Sequence, residues 1–128
     1  MVSKQNPAKI SDRSLCLPKS ITAAGICPDQ PFLERSPAAV RKCFEVNAIG
    51  TFFTAQLAAR QMLKQEKRKG STGGGSIVMI ASIAAQRASK GQFLSDYCAT
   101  KGAVASMAKE IAVELAEKGV RVNYISPG

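Results

Sequence analysis

Two apolar runs frame the C-terminal half of the chain. Ser76 to Ala81 (SIVMIA) and Val120 to Ile125 (VRVNYI) have the length of buried strands and are bounded by glycine or proline. Between them, residues 97–118 take on a helical period. Ala99, Ala103, Met107, Ile111 and Leu115 fall on one broad face, and Glu110, Glu114 and Glu117 lie elsewhere. Lys118 suits the negative end of the helix dipole, and Gly119 closes the helix. A strand, a helix and a second strand predict a parallel α/β unit with a right-handed crossover.

The first half is less regular. Residues 1–20 show no periodicity, are basic, and contain Pro7 and Pro18, so they read as a disordered leader ahead of one α/β domain over 21–128. Ile21 to Ile26 is the expected strand here, followed by a loop from Cys27 to Ser36. Ser36-Pro37 is a helix start, a capping hydroxyl followed by a proline suited to the first turn. From Phe44 to about Lys69 the pattern is helical, with Gly50 and Thr51 small enough for another backbone to approach. A loop is expected from Ile83 to Asp96. Gly73-Gly74-Gly75 precedes a strand and not a helix, which argues against a phosphate loop.

Composition narrows the options. A chain of 128 residues makes one small domain, and 45% hydrophobic residues with 5% aromatics suit alanine-rich helices on a sheet. No histidine is present, which excludes Ser-His and Cys-His catalysis and disfavours zinc. The net charge of +9 is concentrated in residues 1–20 and 64–70, which contribute +3 each. No aromatic residues interleave with these charges, so no nucleic-acid partner is expected. No apolar run is long enough to span a membrane. Cys16, Cys27, Cys43 and Cys98 form no Cys-x-x-Cys pair and follow no signal-peptide core, which points to a reduced, cytoplasmic compartment.

The candidate chemistry lies in the second half. Tyr97 and Lys101 are four apart and share a helix face. A phenol is a poor acid–base catalyst near neutrality, and a fixed cation beside it favours the phenolate. Ser82, at the end of the preceding strand, can offer a hydroxyl to the same crevice. Taken alone the spacing is a weak signal, and an ordinary pair on a solvated helix face is the reading it favours.

Four segments in order strengthen it: NAIGTFFTAQ (47–56), GSIVMIAS (75–82), YCATKGAV (97–104) and RVNYISPG (121–128). Over roughly 21–128 the chain resembles the classical short-chain dehydrogenase/reductase family. The resemblance implies a partial Rossmann-like, three-layer α/β fold with a parallel sheet, lacking the N-terminal nucleotide-binding strands. It implies Tyr97 as general acid/base, Lys101 as its activator and holder of the nicotinamide ribose, Ser82 on the substrate oxygen, and Asn47 helping to hold a proton-relay water. Pro127 and Gly128 would lie beside the nicotinamide of NAD or NADP, with NADP put ahead. The implied activity interconverts an alcohol or sugar alcohol with a ketone or aldehyde. Homo-oligomers would form through the helices around 48–69 and 97–118.

Thr22-Ala23 depart from the family, standing where two asparagines would precede Ala24-Gly25. No glycine-rich strand-turn-helix occurs in the chain, so it reads as truncated at both ends. A non-catalytic remnant that pairs through its helices is the alternative expectation.

Overall fold

The computed structural model describes residues 17–65 and 74–128. Three strands, β1 (Lys19–Thr22), β2 (Gly75–Ile80) and β3 (Val120–Ile125), form one sheet in the order β1-β2-β3. Both pairings are parallel. Ile77 lies opposite Ser20 and Val122, and Met79 opposite Thr22 and Tyr124. The helices are α1 (Pro37–Phe44), α2 (Gly50–Lys64) and α3 (Ser95–Ala116). A single π-helical turn, Glu45–Ile49, joins α1 to α2.

The start of α1 follows its sequence. The Ser36 hydroxyl accepts from the Ala39 N–H at 3.1 Å, and Pro37 occupies the first turn. After α3 the chain turns at Gly119, whose φ of +78° belongs to the left-handed region that glycine enters without strain. β3 follows at once.

The core lies on one face of the sheet. Ile77, Met79 and Ala81 from β2 and its end join Val120 and Val122 from β3. Against them pack Ala55, Ala58, Ala59 and Met62 of α2 and Val104, Ala105, Ala108 and Leu115 of α3. Small residues let the helix axes come close. Gly75 is the tightest point, because a Cβ there would sit 2.4 Å from the Met62 sulfur and 2.7 Å from its Cγ. The other face carries Ile21 and Ile125, which are 66% and 50% exposed. The described residues thus supply the sheet and one helical layer of the three-layer architecture.

Four boundaries differ from expectation. The first strand is Lys19–Thr22, not Ile21 to Ile26. Beyond Thr22 the backbone leaves the sheet because the Asn47 amide captures both polar groups of Ile26. Residues 17–20, assigned to the leader, belong to the fold: Ser76 N–H donates to Pro18 O at 3.1 Å, and the Gln65 side chain bonds both backbone groups of Leu17. Residues 1–16 of the leader lie outside the described residues. The second helix ends at Lys64, where Gln65 turns extended to reach Leu17; its expected continuation over 66–69 lies outside the described residues. Finally, α3 begins at Ser95, inside the expected loop, and a 3-10 turn at Ile83–Ala85 interrupts that loop. No helix among the described residues is long and apolar enough to cross a membrane.

Candidate active site

Parallel strands end together, and the residues just beyond them form a crevice. Lys101, from the second turn of α3, reaches this end of the sheet. Its Nζ donates to the carbonyl of Ile80, the last residue of β2, at 2.8 Å. Lys101 is only 5% exposed. Burial pushes its pKa below the ordinary lysine value, while Cys27 and Cys43 pull it back up. The ammonium also lies 5.6 Å from the centre of the Tyr97 ring, one turn earlier on the same helix face. Among the described residues the Tyr97 hydroxyl makes no hydrogen bond.

Asn47 is fully buried in the π-helical turn. Such turns rotate one side chain out of helical register and recur at functional sites. Its Oδ1 accepts from Ile26 N–H at 2.8 Å, and its Nδ2 donates to Ile26 O at 2.8 Å and to the Thr100 hydroxyl at 3.1 Å. A weaker contact joins Nδ2 to the Cys43 sulfur at 3.4 Å. One amide therefore ties the loop after β1 to the middle of the Tyr97–Lys101 turn. Gly25 rides on this junction: a Cβ there would lie 3.3 Å from Asn47 Oδ1 and 3.7 Å from Lys101 Nζ.

Ser82 lies two residues past β2 on the opposite wall. Its Oγ accepts from Ala84 N–H at 3.1 Å and starts the 3-10 turn, leaving its own proton to donate. That turn packs against α3. The Ile83 N–H donates to Pro127 O at 2.9 Å, and Gly128 approaches the Ile83 side chain. The expected residues thus gather as two groups, Asn47–Tyr97–Lys101 and Ser82–Pro127–Gly128, linked through the Ile80 carbonyl. No hydrogen bond among the described residues joins Ser82 to Tyr97.

Two further hydroxyls mark this edge. Thr22 Oγ1, at the end of β1, and Ser126 Oγ, just past β3, are buried without a partner. Unsatisfied buried hydroxyls beside a crevice fit a polar ligand that brings the missing partners.

The chain matches the short chain dehydrogenase family over residues 16–128. It belongs to that family. L-rhamnose 1-dehydrogenase (NAD(P)(+)) of Sphingomonas sp. (strain SKA58) is 37% identical over 108 residues, covering 84% of this chain and 39% of the relative. A short-chain type dehydrogenase/reductase from Mycobacterium marinum aligns with a TM-score of 0.77 at 35% identity, over 86% of this chain and 41% of that one. 4-Hydroxyisoleucine dehydrogenase complexed with NADH gives 0.76 at 31% identity, over 87% and 45%. The chain spans about two fifths of the length of the curated relatives it matches.

Some contributors escaped the sequence reading. Thr100 and Gly25 lie inside recognised segments, but their contacts depend on the tertiary approach of Asn47. Arg35 and Asp96, a buried ion pair beside Tyr97, are 61 residues apart, and no local pattern connects them.

Proposed function

We propose that this chain carries the acid–base centre of an NAD(P)-dependent oxidoreductase that interconverts an alcohol or sugar alcohol with a ketone or aldehyde. The observation that carries the reading is the buried Lys101 ammonium, held between the Ile80 carbonyl and the Tyr97 ring. A cation fixed in a poorly solvated place acts more strongly on its neighbour than one in water. Negative charge developing on the Tyr97 oxygen is stabilised by it. In carbonyl reduction Tyr97 gives its proton to the substrate oxygen, and in alcohol oxidation it takes the proton away. The Ser82 hydroxyl donates to the same oxygen and orients it. Asn47 commits its amide to Ile26 and Thr100, so its part is to hold the crevice in which a relay water would sit. Lys101, Pro127 and Gly128 would contact the nicotinamide end of the cofactor, which supplies or accepts the hydride when bound.

The relatives' substrates, a sugar and a hydroxylated amino acid, support a polar alcohol as substrate class. NADH and NADPH are both candidates. Cys27, Cys43 and Cys98 are free thiols, which supports a reducing, cytoplasmic setting. Phe52, Phe53, Leu57 and Leu63 of α2, with Ile49 just before it, are all at least 40% exposed, and this supports self-association through that helix.

The test is Tyr97→Phe, which keeps the ring and removes the proton. In a version restored to full length, since this chain alone is expected to be weakly active or inactive, turnover of a small hydroxy ketone with NADPH or NADH should fall ~10²–10⁴-fold, with circular dichroism unchanged. Near-normal turnover by a folded variant would remove Tyr97 from the acid–base role.

A further inference from the structure

Arg35 and Asp96 form a pair of a kind that a protein rarely buries without use. Arg35 Nη1 donates to Asp96 Oδ2 at 2.7 Å, and the two side chains are 3% and 2% exposed. A second guanidinium nitrogen, Nη2, gathers three carbonyls, Phe93 at 2.5 Å, Gln30 at 2.8 Å and Pro28 at 3.2 Å, while Nε is buried without a partner among the described residues. The same two segments are stitched again by Gln30 N–H to Phe93 O at 3.2 Å and Phe93 N–H to Asp29 Oδ1 at 3.0 Å. A planar fork can hold a carboxylate and several carbonyls in one register, which a lysine cannot do.

Asp96 faces both ways. Its Oδ1 accepts from the Tyr97 N–H at 2.7 Å. Helix α3 has no capping side chain at Leu94, so this carboxylate in the first turn satisfies one of the unpaired donors there and complements the positive end of the dipole. Desolvating an ion pair is costly, and a well-packed apolar pair often stabilises a fold as well or better. The geometry therefore argues for placement over stability. The helix is fixed at Asp96 by Arg35, at Thr100 by Asn47, and at Lys101 by Ile80, and Tyr97 lies between the first anchor and the other two.

We propose that Arg35 and Asp96 are positioning residues for the acid–base step. They lock the first turn of α3 so that the Tyr97 phenol stands at a set distance from the Lys101 ammonium. The proposal rests on the acid–base reading of Tyr97. When the pair is broken, the first turn loses its side-chain tie to Arg35 and through it to the carbonyls of Pro28 and Gln30, and the phenol loses its register. A displacement of about 1 Å at a reacting group is enough for a ~10²-fold loss of rate.

The test uses Arg35→Lys, which keeps the charge and loses the fork, and Asp96→Asn, which keeps the shape and loses the charge. The full chain has two tyrosines and no tryptophan, so in a Tyr124→Phe background the emission comes from Tyr97 alone. Expected in each variant is a fall in Tyr97 fluorescence anisotropy together with a ~10²-fold fall in kcat, while KM moves only a few-fold and the urea midpoint shows a folded protein. Parent-like anisotropy and kcat in a folded Arg35→Lys chain would overturn the proposal. So would losses that merely track a lowered unfolding midpoint. Should Arg35→Lys fail to fold, Asp96→Asn decides alone. Where the parent itself turns over no substrate, the anisotropy difference still decides whether the pair holds Tyr97, and Tyr97→Phe in a version restored to full length decides the acid–base reading separately.

Discussion

Replacing Asn47 with alanine removes four contacts from a fully buried position. The Ile26 N–H and C=O lose their partners at once. A buried polar group left unpaired costs ~1–3 kcal/mol, and Ile26 is 37% exposed, so water recovers part of this and about 1 kcal/mol per group is the appropriate figure. Thr100 is not orphaned, because its hydroxyl keeps a 2.8 Å bond to Tyr97 O. The void left by the amide adds roughly 1 kcal/mol. The expected loss is therefore about 3 kcal/mol, which lowers the melting temperature by about 10 °C for a domain of this size. Urea unfolding followed by circular dichroism is the assay, with the midpoint falling and the slope unchanged. The variant should also relieve the depression of the Lys101 pKa, because the loop over it is no longer held. A loss under about 0.5 kcal/mol, the scale of a featureless surface change, would refute the claim that this amide fixes the loop to α3.

Lys101→Met should alter how stability responds to alkali. Burial lowers the folded-state pKa of Lys101, so near 10.5 and below it the unfolded chain binds the proton that the folded chain has released. Stability contributed through Lys101 therefore rises with pH between the lowered value and 10.5, and is least below that window. Cys27 and Cys43, with raised values, act oppositely, being stabilising below 9.0 and less so as they ionise; both remain in the variant and largely cancel. The wild-type minus variant difference in urea midpoint should climb from neutrality toward 10.5, and a flat difference would contradict the buried ammonium. Titration of the 128-residue chain with NADH or NADPH should show binding weaker than micromolar, because its sequence holds no glycine-rich turn for the pyrophosphate; micromolar binding by the folded monomer would reveal a phosphate site not identified above. Leu57→Glu should shift sedimentation toward monomer if the α2 face self-associates, and an unchanged profile would discount that face.

The elements that were legible were those whose signals are local. β3 falls on its apolar run, Ser36-Pro37 starts α1, and Gly119 ends the α3 segment, because capping and chain reversal depend on neighbours in sequence. β1 was misplaced because the Ile21 to Ile26 run looks strand-like. Its second half is diverted by an amide 21 residues away. The π-helical turn has no compositional signature that separates it from the helices on either side. In the candidate site, Tyr97, Lys101, Ser82 and Asn47 were singled out through ordered motifs, and the structure adds a contact that spacing alone did not indicate: the Ile80 carbonyl under the Lys101 ammonium. The Arg35–Asp96 pair stayed invisible because an ion pair between a loop residue and the first turn of a distant helix has neither periodicity nor fixed spacing.

The order of the strands in the sheet follows their order along the chain. Ser82, Tyr97 and Lys101 consequently lie within one uninterrupted stretch, from β2 through α3 to β3, residues 75–125. Pairing β1 with β2 must instead close a loop that holds α1, the π-helical turn and α2. Loop-closure entropy grows only with the logarithm of loop length, about 0.6 kcal/mol per doubling, so the two closures differ little in cost but much in content. The shorter one is self-contained: a hydroxyl, a phenol and an ammonium are delivered together by a single crossover. The longer one brings Asn47 and the Gly25 loop as a separate piece laid over it. The proposed reacting groups thus form a contiguous cassette, and the Asn47–Gly25 wall laid over them comes from elsewhere in the chain.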